Sequence, residues 1–468
     1  MTPLTTQSGA PPTEAIDAFI ARVRGRVLRP GTPGYDDARK VQNGLIDRRP
    51  ALIVRCGGNA DVIEAVAFAK EHGMLLSVRG GGHNVAGNAV NDGGVVIDLS
   101  EMRGVHVGPH RRVARVQGGA TWADLDRETQ VFGLAAPGGL VSTTGVGGLT
   151  LHGGFGHLRS KHGLSIDNLL SVDIVTADGQ VRTASASENP DLFWAVRGAG
   201  SNFGVVTSFE FQLHPVGPTV VLCGAFYHLS DAPKVLRGWR SLLATIPEDF
   251  TPIALFWSIP EGFPPEVVGT PIVAAAGVYT GSVEKGLEVV RPFRELATPV
   301  LDLSGPMPFT AVQSAFDPFF PKGLLCYWKS TYVEELGDPL IDALCELAAS
   351  RPSPRTTMDI WPLQGASSRV GAADTAFGRR PPFMLAFESS WTDPAHNDAN
   401  IAWARDAHSS MKRFSASGIY LNFPGFGEEK EEMVRAAYGA NYDRLVAIKT
   451  LYDPENLFRM NLNISPAR

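Results

Sequence analysis

Three clusters of glycine within the first 205 residues constrain this chain more than any other feature. The first lies in Val78–Asn91 and contains Arg79-Gly80-Gly81-Gly82-His83-Asn84. The second runs from Gly138 to Gly163, and the third from Gly198 to Gly204. Consecutive glycines expose backbone N–H groups with no side chains in the way, a shape suited to a diphosphate. His83 follows at once, so an imidazole stands beside whatever the glycines hold. The run Met74–Val78 before them is apolar and reads as a buried strand. Gly87, Asn88, Asn91, Gly93 and Gly94 after them are loop formers. A Rossmann dinucleotide site needs G-x-G-x-x-G opening a helix, and here both spacing and context fail. The segment is a phosphate loop of another design. Tight turns alone do not require three such clusters, each flanked by strands.

The flanking pattern is one of short strands with helices between. Ala51–Val54 reads as a strand, and Asn59 as the cap of a helix carrying Val62, Ala65, Val66 and Ala69 and ending at Gly73. Val95–Leu99, Val113–Gln117 and Val205–Leu213 are further strands. Thr121 with Asp124 forms a capping box. Asp178-Gly179 inside Ser171–Ala184 signals a hairpin. Asn189-Pro190 opens a short helix. After His214 glycine thins, and Trp, Phe and Pro become frequent. Pro252–Ile259 and Ile272–Tyr279 read as strands among helices near Ala232–Ala244, Val283–Leu296, Pro339–Ala349 and Asn397–Phe414. The pattern is α+β, an antiparallel sheet with helices on one face. A long helix is expected over Glu428–Leu451, stopped by Asp453-Pro454-Glu455-Asn456.

Length and charge narrow the function classes. The chain has 468 residues and a formal net charge of -6, which gives no reason to expect nucleic acid or an acidic membrane surface as partner. Cys56, Cys223, Cys326 and Cys345 form no C-x-x-C pair, so neither a disulfide framework nor a zinc site follows. His152, His157 and His162 recur every five residues within glycine loops, which fits no standard metal-ligand pattern. Met1–Ala21 holds no apolar core of a signal peptide, and a cytoplasmic protein is expected. A hydrolase is disfavoured, since G-x-S-x-G, H-E-x-x-H and a Walker lysine loop are all missing.

Together the clusters and several later segments resemble the FAD-linked oxidases of the vanillyl-alcohol-oxidase type, in the berberine-bridge-enzyme-like branch. The resemblance covers nearly the whole chain. It is carried by Arg79 to Asn84, Thr143-Thr144-Gly145-Val146-Gly147-Gly148, Asp167-Asn168, Asp191 to Gly198, Asn202-Phe203-Gly204, Tyr420-Leu421-Asn422 and Tyr452 to Phe458. It implies a two-domain α+β fold with a PCMH-type FAD-binding domain. The flavin domain would take residues 1–215, an inserted substrate domain 216–413, and a C-terminal segment 414–468 would return to the flavin domain. The flavin contacts implied are Arg79, Gly80, Gly81, Gly82, His83, Asn84, Thr143, Thr144, Gly145, Gly147, Gly148, Gly153, Gly154, Asn202, Gly204, Val205, Tyr420 and Asn422.

In relatives a histidine at the position of His83 is bonded to the flavin 8α-methyl, which needs a neutral, nucleophilic imidazole. Many relatives carry a second link through cysteine in Gly-x-Cys. Here Gly139-Leu140-Val141 puts valine there, so a single tether is expected, as in the hydroxynicotine-oxidase-like members. Thr144 sits where the family controls oxygen access, and its valine-like shape favours reaction with molecular oxygen.

Catalysis requires a group that takes a proton from O–H or N–H. The family's Tyr-x-Asn motif is Tyr420-Leu421-Asn422. A free phenol is only about 0.1% ionised at neutral pH, and lowering its pKa by two or three units needs roughly 3–4 kcal/mol. A cation at about 4 Å in a half-buried site supplies that order. Lys329 and Arg369 are the candidates by family position. Arg369 stands where alkaloid-type relatives carry a glutamate base. Phe256, Trp257, Trp328, Trp361, Phe383 and Trp391 of the inserted region are candidates to line a pocket, although most aromatics in such a sheet are core. The expected function is an oxidase passing a hydride from a small alcohol or amine to FAD on His83, with oxygen reduced to hydrogen peroxide. A carbohydrate oxidase, an oxidative cyclase or dehydrogenase, and a flavin-binding protein without turnover are the alternatives.

Overall fold

The computed structural model describes residues 11–378, 382–416, 418–427 and 431–467. In its N-terminal part the strands Leu52–Arg55, Val95–Asp98 and Leu76–Arg79 run parallel, with Val95–Asp98 in the middle. Arg26–Leu28 adds antiparallel to the Leu52–Arg55 edge. The crossover between the parallel strands is the helix Asn59–Glu71, which buries Val62, Ala65, Val66 and Ala69. Asn59 begins this helix rather than capping it. Asp61 in the first turn satisfies the local donors instead, accepting from the N–H groups of Arg24, Gly25 and Gly57. An anion at that end also suits the helix dipole.

A second sheet is antiparallel throughout, in the order Val105–Gly108, Val113–Gln117, Val205–Gln212, Leu169–Val175 and Val181–Ser185. The hairpin turns at Gly179, whose φ of 77° is the left-handed value such a turn demands. The helix Trp122–Gln130 opens with the expected capping box: Thr121 N–H donates to Asp124 Oδ2 at 2.8 Å, and Thr121 Oγ1 accepts from Asp124 N–H at 3.4 Å.

The large sheet beyond residue 218 is antiparallel. Across the sheet its main strands lie in the order Thr219–His228, Pro271–Tyr279, Phe250–Ser258, Thr357–Pro362, Phe383–Trp391 and Leu325–Val333. Two of these follow the expected strands, and four were not read from sequence. Strand alternation splits every one of the central strands between two environments. Phe250, Ala254 and Phe256, Met358 and Ile360, Leu385 and Phe387, and Tyr327 face one core, packed with Trp239, Leu344, Trp403 and other helical residues. Ile253, Leu255 and Trp257, Asp359 and Trp361, Met384 and Glu388, and Cys326 and Trp328 face a cavity on the other side. The helices therefore cover a single face, as the sequence pattern implied.

The C-terminal helix expected over Glu428–Leu451 has its first three residues outside the described set. The remainder is two helices, Glu431–Tyr438 and Tyr442–Tyr452, parted at Gly439 with φ of 56°. The second ends on a buried ion pair, Lys449 Nζ to Asp453 Oδ2 at 2.6 Å. Lys449 also donates to the carbonyls of Asn202 and Phe458, while Asp453 accepts from the N–H groups of Leu457 and Phe458. Ile464 N–H then caps Asn202 Oδ1 at 2.9 Å. These contacts stitch the C-terminal segment to the third glycine cluster. Among the described residues no helix is long and apolar enough to cross a membrane.

Candidate active site

One cavity runs between the glycine loops, the cavity face of the large sheet, and the segments 420–424 and 458–462. Its glycine side is built by contact between clusters. A Cβ on Gly81 would land on the backbone of Gly145, so the first and second loops touch as only two glycines can. Gly148, by contrast, faces open space within 4 Å, leaving room beside the short helix Val146–Thr150. Among the described residues the N–H groups of Gly81, Gly82, His83 and Asn84 have no acceptor in the protein. Lone donors around a side-chain-free hollow fit the diphosphate of a dinucleotide, and the apolar breadth of the cavity fits its ring. FAD suits the residues present.

His83 stands at the end of this loop with Thr143 Oγ1 at 3.0 Å from Nε2 and Thr144 Oγ1 at 3.4 Å from Nδ1. Its ring borders the cavity yet is enclosed by protein on most sides. That burial pushes its pKa down to about 4, against an opposing pull from Asp317. Asp317 is fixed beside it by accepting from Ser142 N–H and Ser142 Oγ, at 2.7 and 2.5 Å. The imidazole is therefore neutral at ordinary pH. Val141 lines the cavity nearby. The cysteine of the lining, Cys326, is on the opposite wall, and burial pushes its thiol up to about 12.

Tyr420 is 2% exposed, with its ring stacked on Phe155 at 4.2 Å and 3°. Its oxygen accepts from Phe155 N–H at 3.2 Å and from the Asn422 amide at 2.9 Å. Burial pushes the phenol up to about 12. Neither expected cation is beside it. Lys329 is buried but shares strand parity with Leu325 and Tyr327, away from the cavity face. Arg369 is exposed and ion-paired with Glu248. The short Ala366–Arg369 helix carries it off the end of the Thr357–Pro362 strand, so family position alone misplaces it.

The other expected contacts divide in two. Gly80, Gly81, Gly82, His83, Asn84, Thr144, Gly145, Gly147, Gly148, Gly204, Tyr420 and Asn422 border the cavity. Arg79, Thr143, Gly153, Gly154, Asn202 and Val205 stand behind it. Arg79 is turned away into a buried pair with Asp98, Nη2 to Oδ2 at 2.5 Å, locking two parallel strands in register. Gly153 and Gly154, with φ of 114° and 84°, bend the chain so that Phe155 reaches Tyr420.

Several cavity residues carry no local motif and were missed by sequence reasoning. Asn43 donates to the carbonyls of Val85 and Cys326 and accepts from Cys326 N–H, tying the flavin-side loop to the sheet. Asp359 and Glu388 put two carboxyl groups on the sheet wall, and burial holds both above the usual carboxylate range. The available signal was an acidic residue at a cavity-parity position of an apolar strand, legible only once those strands are known.

Comparison with known proteins agrees with this geometry. A family described as FAD binding domain matches residues 50–185, and one described as berberine and berberine like matches residues 419–465. The (R)-6-hydroxynicotine oxidase of Paenarthrobacter nicotinovorans is 33% identical over 464 residues, covering 95% of this chain and 97% of its own. The xylooligosaccharide oxidase of Thermothelomyces thermophilus is 28% identical over 484 residues, covering 97% of this chain and 95% of its own. The crystal structure of 6-hydroxy-D-nicotine oxidase from Arthrobacter nicotinovorans superposes with a TM-score of 0.85 at 30% identity, covering 95% of this chain and 98% of that one.

Proposed function

This chain belongs to the berberine-bridge-enzyme-like family of FAD-linked oxidoreductases, and on that footing we propose that it oxidises a small alcohol or amine with FAD held covalently by His83 alone. Molecular oxygen is the proposed final acceptor, giving hydrogen peroxide. In this reading residues 1–215 and 414–468 form the flavin domain, 216–413 the inserted substrate domain, and the protein works in the cytoplasm. The observation that carries it is the neutral His83 at the mouth of a donor-lined glycine hollow, facing a sheet of aromatic and carboxyl side chains across one cavity.

Bound FAD supplies a two-electron acceptor for a hydride. The remaining work falls to side chains. His83 keeps a lone pair free for attachment because burial prevents its protonation. Val141 offers no second nucleophile, and the Cys326 thiol stays protonated on the far wall. Tyr420 stays a phenol at neutral pH, so its part is to hold the substrate's oxygen or nitrogen through its O–H, aimed by Asn422. Thr144 lines the cavity beside His83, where its small branched side chain leaves oxygen a path.

The sugar alternative draws on the xylooligosaccharide oxidase likeness and on the flat indole faces of Trp257, Trp328 and Trp361. One experiment separates the readings: anaerobic mixing of the flavoprotein with alcohols, amines and oligosaccharides, followed by admission of air. Bleaching by amines or small alcohols and rapid re-oxidation are expected. Bleaching by oligosaccharides alone would favour the alternative, and a flavin that nothing bleaches would end the oxidase reading. Acid precipitation tests the tether, since the yellow colour should stay with the protein.

A further inference from the structure

The two sheet-wall carboxyls are arranged in a way that the flavin chemistry alone does not explain. Asp359 lies opposite Ala386, and Glu388 opposite Thr357, on adjacent antiparallel strands. The two are thus diagonal neighbours on one face, within reach of each other's side chains, and burial together with the neighbouring Asp359 holds the Glu388 carboxyl above its ordinary range. Two carboxyls, which when ionised can only accept, need a proton between them to meet there. Among the described residues their flanks offer no cation. Asp359 is bordered across its strands by Leu255 and Ala386, and Glu388 by Thr357 and Trp328. Lys329 follows Trp328 with the opposite parity, and Arg159, buried behind Trp361 at 4.9 Å from its ring, is spent on the carbonyls of Gly156, Pro252 and Pro362. Among the described residues Asp359 Oδ1 and Trp361 Nε1 are both shut off from solvent and have no hydrogen-bond partner. Around the carboxyls stand three indoles, Trp257, Trp328 and Trp361, all lining the cavity.

We propose that Asp359 and Glu388 form a one-proton carboxyl pair that, framed by these tryptophans, receives a basic nitrogen and makes the substrate an amine rather than a sugar. This rests on the oxidase reading above and narrows it. Two carboxyls this close do not ionise together in an apolar wall, so the pair carries one negative charge and one proton. A single anion ringed by aromatic faces is the complement of an ammonium group. On binding, the N–H proton of the ammonium passes to the carboxylate, leaving a free amine and a pair with two protons. Charge balances, since +1 and −1 become two neutral groups. The nitrogen lone pair needed for loss of hydride is then available, and the substrate's proton has stayed on the protein.

The test uses the holoenzyme and two probes with no C–H on either carbon bonded to the heteroatom, 2,2,5,5-tetramethylpyrrolidine and its oxygen isostere 2,2,5,5-tetramethyltetrahydrofuran. Binding is read anaerobically by calorimetry and by perturbation of the flavin spectrum. The amine should bind at least about tenfold tighter than the ether. The Asp359→Asn/Glu388→Gln double variant should bring the two within about twofold, with flavin content unchanged. Infrared spectra of the wild-type protein at neutral pH should show a protonated-carboxyl band that Asp359→Asn and Glu388→Gln each remove or shift. Equal affinity for both probes, or no such band in the wild type, overturns the proposal, and both readouts stand even if the double variant does not fold. Neither needs turnover. A protein with the amine preference that no substrate bleaches would sink the oxidase reading alone, whereas an active oxidase indifferent to the probe's charge would sink the pair alone.

Discussion

The two walls of the cavity are made by opposite means. The flavin side is a surface of backbone, formed where Gly81 and Gly145 touch and where consecutive N–H groups point outward. The sheet side is a surface of side chains, displayed by the two-residue alternation of four adjacent strands. A backbone surface depends on what is missing from each residue, so it tolerates almost no substitution. A side-chain surface is exchangeable position by position as long as the strands behind it keep their second core. One wall is fixed to a cofactor, and the other is free to vary with substrate.

The contrast yields predictions that differ in size. The largest effect belongs to the flavin side's anchor: Lys449→Met leaves Asp453 buried without its partner. About 3–5 kcal/mol should be lost in urea denaturation, with flavin released at denaturant levels that the parent survives. Gly81→Val drives a side chain into the Gly145 backbone. It should cost about 1–3 kcal/mol and give colourless protein, while Trp257→Phe on the other wall keeps full flavin content by absorbance. If the glycine variant were yellow, the contrast between the walls would fail.

His83→Ala should leave flavin that acid extracts, with a fold unchanged by circular dichroism and turnover lowered about tenfold, near 1.4 kcal/mol of barrier. The pH dependence of attachment sharpens this. With the imidazole pKa held down to about 4, the neutral form persists above that value, so the rate of covalent incorporation should stay flat through neutral pH and fall only as pH approaches 4. A decline already near the ordinary histidine value of about 6.5 would place His83 in water instead. The smallest effect is expected for Arg369→Ala: the residue is exposed, bound to Glu248 and outside the cavity, so melting temperature and turnover should match the parent.

The same contrast explains what was legible in the sequence. The backbone wall announces itself because glycine has local meaning: Arg79 to Asn84 and Gly145 to Gly148 mark their loops without knowledge of the fold. The capping box at Thr121 and the turn at Gly179 were readable for the same reason. The strands Leu325–Val333, Thr357–Pro362 and Phe383–Trp391 were not. Buried on both faces, they show no polar–apolar alternation to set them apart from core helix. Asp359 and Glu388 were therefore invisible as a pair, being 29 positions apart and joined only by sheet register. Arg369 illustrates the converse error, since a motif position carries no information once the chain has left the Thr357–Pro362 strand for the Ala366–Arg369 helix.

The stitching of Asn202 to Lys449 and Ile464, described above, also has a consequence in time. Phe458, Met460, Asn461 and Leu462 are themselves part of the cavity lining, so the hollow begun at Gly80 is completed by residues made almost 400 positions later. While the ribosome is still extending the chain, the first glycine loop is an open gutter with nothing to close it. Under the proposed tether, flavin loading belongs to the finished polypeptide, and a chain cut before Phe458 is expected to carry His83 without the rest of its hollow.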